Sequence, residues 1–217
     1  MTISKEALDA RRVKILNVAY DVFVQNSIEG VSLQNIAESV GMGRMTLFRY
    51  FPTKTDLAVA VCGYKWNEYL TEAVKDRPIT DIGHIPAIDR LEFTLDTYLN
   101  MYKNHKDLLK YNDNFNHYIT HEVVDKEKLS AYLAAVNPMS ERMHLLYEKG
   151  KEDHTIRTDI PEAEFLRMTT HTMMAACQHY AGGFIWGADP DEEHDYTPEL
   201  VMLKNMIMKF AREGITG

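Results

Sequence analysis

Apolar residues return every three or four positions along almost the whole chain, and no stretch sustains the apolar-polar alternation of a half-buried strand. That spacing matches the 3.6-residue turn, so each apolar stripe is the inward face of a helix and the expected fold class is all-α, with about nine helices. With 217 residues, 45% of them hydrophobic, the chain can bury a sizeable core and disorder is excluded.

Punctuation residues divide the N-terminal part sharply. Leu8, Ile15, Ala19, Val22 and Phe23 form one face of a first helix, opposite Arg12, Lys14, Asn17 and Asp21, and Gly30 follows its end. Ser32 is placed to cap a second helix of about eight residues, since its hydroxyl can accept from free backbone amides. Leu33, Ile36, Ala37 and Val40 follow at helical offsets, and Gly41 supplies a left-handed stop. After the turn Gly41-Met42-Gly43 a short third helix runs from Arg44 to Phe51, with Leu47 and Phe51 inward and Pro52 ending it. Thr53 caps a long fourth helix, where Asp56 meets the positive end of the helix dipole. Two short helices joined by a glycine turn and packed on a longer first one make a helix-turn-helix, whose second helix enters the major groove of DNA.

Further helices are expected near 87–104, 106–122, 126–136, 138–152, 162–186 and 198–213, with Asn137-Pro138 interrupting the helical stretch there. The acidic run from Asp189 to Asp195 lacks the glycine and spacing of a calcium loop and reads as a solvated connector. Cys62 and Cys177 lie far apart within apolar stretches, as buried thiols do. No apolar run is long enough to cross a bilayer and the first residues do not resemble a signal peptide, so a cytoplasmic, membrane-free protein is expected. The net charge of −8 is uneven: residues 1–56 hold seven Lys or Arg against six Asp or Glu, and residues 57–217 hold 17 against 26. A near-neutral head can meet phosphates through locally placed bases, while the acidic body is repelled from them.

The segment Gly41-Met42-Gly43-Arg44-Met45-Thr46-Leu47-Phe48-Arg49-Tyr50-Phe51-Pro52-Thr53-Lys54-Thr55-Asp56-Leu57 resembles the signature of the tetracycline-repressor (TetR) family of bacterial regulators. The match runs from about Arg11 through Leu57 and includes Ala19, Phe23, Gly30, Ser32, Ile36 and Ala37. The resemblance implies a DNA-binding domain over 1–56 and an effector-binding and dimerisation domain over 57–217. It implies a homodimeric repressor on double-stranded operator DNA, with no enzymatic activity, metal or cofactor. Ser32 is then expected near phosphate, Gln34 and Arg44 at base edges, and Thr46, Tyr50 and Lys54 on the DNA backbone, with Arg49 in reach depending on docking angle. Phe48 stands where the family usually has a phosphate-bonding tyrosine and either contacts DNA or only packs. Met45 replaces a smaller residue and either touches a thymine methyl or crowds the groove. Two recognition helices related by a two-fold axis call for an inverted-repeat operator.

Dimerisation is expected through the last two long helices, with Phe165, Thr169, Thr172, Ala176, Tyr180 and Gly183 on one and Leu200, Leu203, Ile207, Phe210 and Ala211 on the other. The alternative is that these faces pack within one chain. For the effector, the density of aromatic and methionine side chains suits a mainly hydrophobic small molecule, released signal passing down the fourth helix from Trp66 and Tyr69. Tyr102, Asn112, Phe115, Asn116, Met143, His144, Tyr147, His171 and Met174 are the residues expected around it. Two other readings stay open: a DNA-binding architectural dimer without sensing, and a metal-dependent enzyme built on His117 and His121, four apart on one helix.

Overall fold

The computed structural model describes residues 5–75, 83–122, 129–183 and 194–213, without the side chains of 5–8, 73–75 and 130–138. Among these residues all regular structure is helical. Seven helices precede the last two: α1 (Lys5–Asn26), α2 (Leu33–Val40), α3 (Arg44–Tyr50), α4 (Lys54–Lys75), α5 (Ala87–Asn104), α6 (Lys106–His121) and α7 (Ser130–Asp153). The eighth, α8, covers residues 162–182, with a π turn at Arg167–His171 between α-helical Glu162–Leu166 and Thr172–Gly182. The ninth, α9, spans Thr197–Arg212. Described residues up to Thr71 and from Lys110 to Val136 form one compact unit, and those from Glu72 to Leu109 and from Asn137 onward form a second.

In the first unit, Ile15, Leu16, Ala19 and Phe23 of α1 are buried together with Ile28, Ile36, Ala37, Val40, Leu47, Phe51 and Leu57. The chain leaves α1 through Ser27 in the left-handed region (φ 60°). Gly30 follows where a Cβ would come within 2.5 Å of the Asn26 carbonyl oxygen, so no larger residue fits that turn. Ser32 and Asn35 cap α2 reciprocally, each side chain accepting from the other's backbone amide. At its other end Gly41 takes φ 77°, and the amides of Gly41 and Met42 bond back to the carbonyls of Glu38 and Ala37. That closure is the Schellman arrangement, which satisfies the last carbonyls and turns the chain into α3. Thr53 and Asp56 cap α4 in the same reciprocal way, at 3.0 Å in each direction.

The first unit takes in more than the three-helix head, because α6 packs into it. The Tyr111 ring is 5.3 Å from that of Tyr20, and its hydroxyl donates to the Ala58 carbonyl at 2.8 Å. The Trp66 indole N–H donates to Asn112 Oδ1 at 3.1 Å, so two buried polar groups on α4 and α6 satisfy each other.

In the second unit α5, α8 and α9 share a core of Leu91, Leu95, Met101, Met173, Cys177, Leu200, Ile207 and Ala211. Pro86 precedes α5 and has no side chain to cap it. The end of α7 supplies the cap instead: Asp153 Oδ2 accepts from the Ala87 amide at 2.9 Å and Thr155 Oγ1 from the Ile88 amide at 3.1 Å. Burial raises the Asp153 pKa, but the bonds from Ala87 and Thr155 outweigh it and hold the carboxyl below its ordinary value. Both cysteines are buried free thiols; desolvation pushes Cys177 up to about 12 and raises Cys62 as well.

One expectation is corrected here. Asn137-Pro138 does not interrupt the helix, because α7 runs unbroken through it. A proline removes one backbone hydrogen bond and crowds one carbonyl, about 3 kcal/mol, which the remaining turns of a helix 24 residues long can carry. Of the residues expected on the dimer faces, Phe165, Thr169, Leu200, Ile207 and Ala211 are buried, Ala176, Tyr180, Leu203 and Phe210 are half-buried, and Thr172 and Gly183 are exposed. The apolar groups left exposed on α8 and α9 are Met168, Val201, Met202 and Met206. The residues expected helical at 126–128, 184–186 and 213 lie, respectively, outside the described residues, outside them, and in the turn that closes α9. Most of the acidic connector, 189–193, also lies outside them, while Asp195 accepts from the amide and hydroxyl of Thr197.

Candidate nucleic-acid interface

The helix-turn-helix presents one side chain row that the core does not use. Leu47 and Phe51 are buried and fix the roll of α3, which leaves Arg44, Met45 and Arg49 exposed and Thr46, Phe48 and Tyr50 half-buried. Gly43 precedes α3 with no side chain, so the first backbone amides of the helix are open at that end. Arg44 lies with its guanidinium 5.0 Å from the centre of the Phe48 ring. Phe48 therefore packs on its own helix and carries an arginine, one of the two roles left open for it. Arg12 of α1 stacks likewise on Phe51, at 4.7 Å.

On α2 the Ser32 side chain is engaged in the cap with Asn35 and lies exposed beside it. Gln34 is exposed and donates its amide to Glu38 Oε1 at 2.6 Å, one turn along the helix. Lys54, expected on the DNA backbone, makes several bonds within the chain. Its ammonium donates to the carbonyls of Ile28, Glu29 and Val31 at 2.8, 3.2 and 3.0 Å, and lies 5.5 Å over the Tyr118 ring. Three donors meet three acceptors, so Lys54 ties the turn between α1 and α2 to the start of α4.

Sequence reasoning missed the part that α6 plays in this unit. Asn114 Oδ1 accepts from the Ile28 amide at 2.8 Å, and the hydroxyls of Tyr118 and Thr55 are 2.9 Å apart. The trace of this in the sequence is the pair Asn114 and Tyr118, one turn apart on the helix.

The residues expected around an effector fall in both units. Asn112, Phe115 and Asn116 sit on α6 in the first unit: Asn112 is bound to Trp66, Phe115 is buried against Tyr111, and Asn116 is exposed. In the second unit Tyr102 is buried with its hydroxyl accepting from the Tyr196 amide at 3.0 Å. The Tyr147 hydroxyl donates to the Ile160 carbonyl, Met143 is buried, Met174 half-buried and His171 exposed. His144 is exposed and its Nδ1 lies 3.0 Å from Glu162 Oε2. Two polar atoms that were not foreseen, Gln178 Nε2 and Tyr196 Oη, are buried with no hydrogen-bond partner among the described residues. Gln178 continues the stripe of His171 and Met174 at helical spacing, which is the signal that could have found it.

His144, Glu148 and Glu162 bring ligating atoms within 4.8 Å of one another, but Glu148 is paired with Lys151 at 2.6 Å and the group faces solvent. The rings of His117 and His121 are 4.8 Å apart, and among the described residues no third ligating side chain joins them. No helix among the described residues is long and apolar enough to cross a membrane.

Fold and site together define an all-helical protein headed by a helix-turn-helix. Residues 15–61 match the family model of bacterial regulatory proteins, tetR family. An HTH-type transcriptional regulator of Staphylococcus aureus, SAB2452, is 32% identical over 68 residues, 31% of this chain and 36% of that protein. The HTH-type regulator RutR of Escherichia coli K12 is 40% identical over 55 residues, 25% of this chain and 26% of RutR. These alignments span about a third or less of the relatives' length. The fold over nearly the whole chain is that of FadR from Bacillus subtilis, solved with stearoyl-CoA: TM-score 0.65 at 14% identity, covering 93% of this chain and 98% of that one. KstR2 of Mycobacterium tuberculosis, a ketosteroid transcriptional regulator, gives 0.62 at 14% identity, covering 94% and 95%. Residues 15–61 thus carry a tetR-family regulatory region, and beyond it the likeness to these regulators is one of fold.

Proposed function

We propose that this protein is a dimeric transcriptional repressor that grips an inverted-repeat operator through α3 and is released by a small, mainly hydrophobic ligand. The observation that carries the reading is the exposed row Arg44, Met45 and Arg49 on a helix whose roll is locked by Leu47 and Phe51. Guanidinium groups in such a row can donate to guanine edges and phosphates, and the capped α2 beside it holds the pair at a fixed angle. Ser32, Thr46 and Tyr50 are the hydroxyl groups available for phosphate, and Gln34 can reach a base edge only by leaving Glu38.

Dimerisation through α8 and α9 is supported by the exposed Met168, Val201, Met202 and Met206, apolar surface that a second copy would cover. Ligand sensing is assigned to the second unit. Gln178 and Tyr196 each leave a buried polar atom unpaired, a cost that a bound molecule with an acceptor oxygen would remove. FadR, of the same fold, was solved with stearoyl-CoA, an apolar acyl chain on a polar head. Coupling to the DNA-binding end would run through α4 and α6 together, since Trp66 with Asn112, Ala58 with Tyr111 and Thr55 with Tyr118 join them along their length.

Selection of bound duplexes from a random pool tests the reading: the protein is expected to enrich an inverted repeat with half-sites about 34 Å apart. Enrichment of no sequence would leave an architectural role. A compound that stabilises the protein without weakening its hold on the selected site would refute the sensing half.

A further inference from the structure

Met45 is 74% exposed, the most open large apolar side chain among the described residues. It is the second residue of α3, between Arg44 and Thr46, with Arg49 exposed one turn further on. Nothing in the folded chain calls for it there: alanine is a better helix former, and a side chain so open adds little packing. Its exposed neighbours Arg44 and Arg49 are cationic, and only the half-buried Met42 and Phe48 add apolar surface beside it, so an extended apolar protein surface is a poor match for the row as a whole. The fitting surface offers one methyl-sized apolar spot set among hydrogen-bond acceptors and negative charge. The major groove of DNA has that composition wherever a thymine 5-methyl stands near the N7 and O6 of a guanine, with phosphates on either side.

The residue before Met45 sharpens the match. With its guanidinium held against the Phe48 ring, Arg44 is anchored on its own helix and loses less freedom when it donates to a base. Phe48 has no hydroxyl to offer phosphate, and its half-buried ring does the work of a platform.

Resting on the DNA-binding reading above, we propose that α3 reads a guanine through Arg44, positioned by Phe48, and the 5-methyl group of a neighbouring thymine through Met45. The operator half-site then contains both bases, and the methyl is part of what is recognised.

The test uses the full chain and the sites it selects from random duplexes. Each thymine of the half-site is replaced in turn by deoxyuridine, which removes only the methyl, in both half-sites at once. At one position the native protein is expected to lose affinity about fourfold per half-site, the effect of withdrawing one methyl-sized group from apolar contact. Met45→Ala should bind more weakly and show no further loss at that position, and the other thymines should behave alike in both proteins. Phe48→Ala should relax selection at the guanine, and Phe48→Tyr should keep it. If deoxyuridine costs both proteins equally at every position, Met45 does not read the methyl, although DNA binding stands. If no sequence is selected at all, this inference falls together with the proposed function.

Discussion

Replacing Lys54 with Met keeps the aliphatic stem and removes the ammonium that closes the turn between α1 and α2. In the native chain that group donates to the carbonyls of Ile28, Glu29 and Val31 at 2.8, 3.2 and 3.0 Å. A hydrogen bond from a charged donor contributes about 1.5–3 kcal/mol. The three share one charge, and Glu29 is exposed enough for its carbonyl to recover water, so they do not add. A total loss of about 2 kcal/mol follows, or roughly 4–8 °C in Tm for a chain of this size. Urea unfolding and a thermal melt measure it. DNA binding by the variant separates the two roles open to this lysine. With the ammonium committed to carbonyls, the dependence of affinity on salt should keep its slope. A lysine on phosphate in each protomer would lower that slope by about 1.8 when removed. Unchanged stability with a slope lowered by that amount would refute the structural assignment.

Two further outcomes concern the second unit. Asp153→Ala, which uncaps α5, should cost about 1–2 kcal/mol near neutral pH by urea unfolding. Because the folded carboxyl titrates below its ordinary value, its contribution is present above the unfolded pKa and is lost as pH falls through the folded one, so the difference between native and variant should shrink below about pH 4. Gln178→Met removes a buried amide whose Nε2 has no partner among the described residues and should raise stability of the free protein by about 1 kcal/mol while weakening any stabilising ligand; a loss of stability would mean that the amide is already satisfied.

The head was legible in the sequence because its rules are local. Ser32, Gly41, Thr53 and Asp56 act on backbone groups within a few residues of themselves, and each stands in the structure where the spacing put it. The burial of Leu47 and Phe51 follows from their separation by one turn, and with it the outward row of Arg44, Met45 and Arg49. Lys54 escaped the same reasoning. Its spacing along the chain gave no sign of the carbonyls it meets, which belong to a turn more than 20 residues away.

What the sequence by itself determined is the helical class, the local caps of α2 and α4 and the helix-turn-helix, since hydrophobic period and capping chemistry depend on neighbours along the chain. Only the tertiary structure decided which faces the helices use against one another. It put Leu200, Ile207 and Ala211 into the core and left Met202 and Met206 outside, and it brought Asn114 of α6 to the amide of Ile28. The reason is that an apolar stripe records the need for burial without naming the partner, and a polar side chain on a helix records a bond to be made without its address. Both are fixed when the chain closes on itself and every buried donor must find an acceptor.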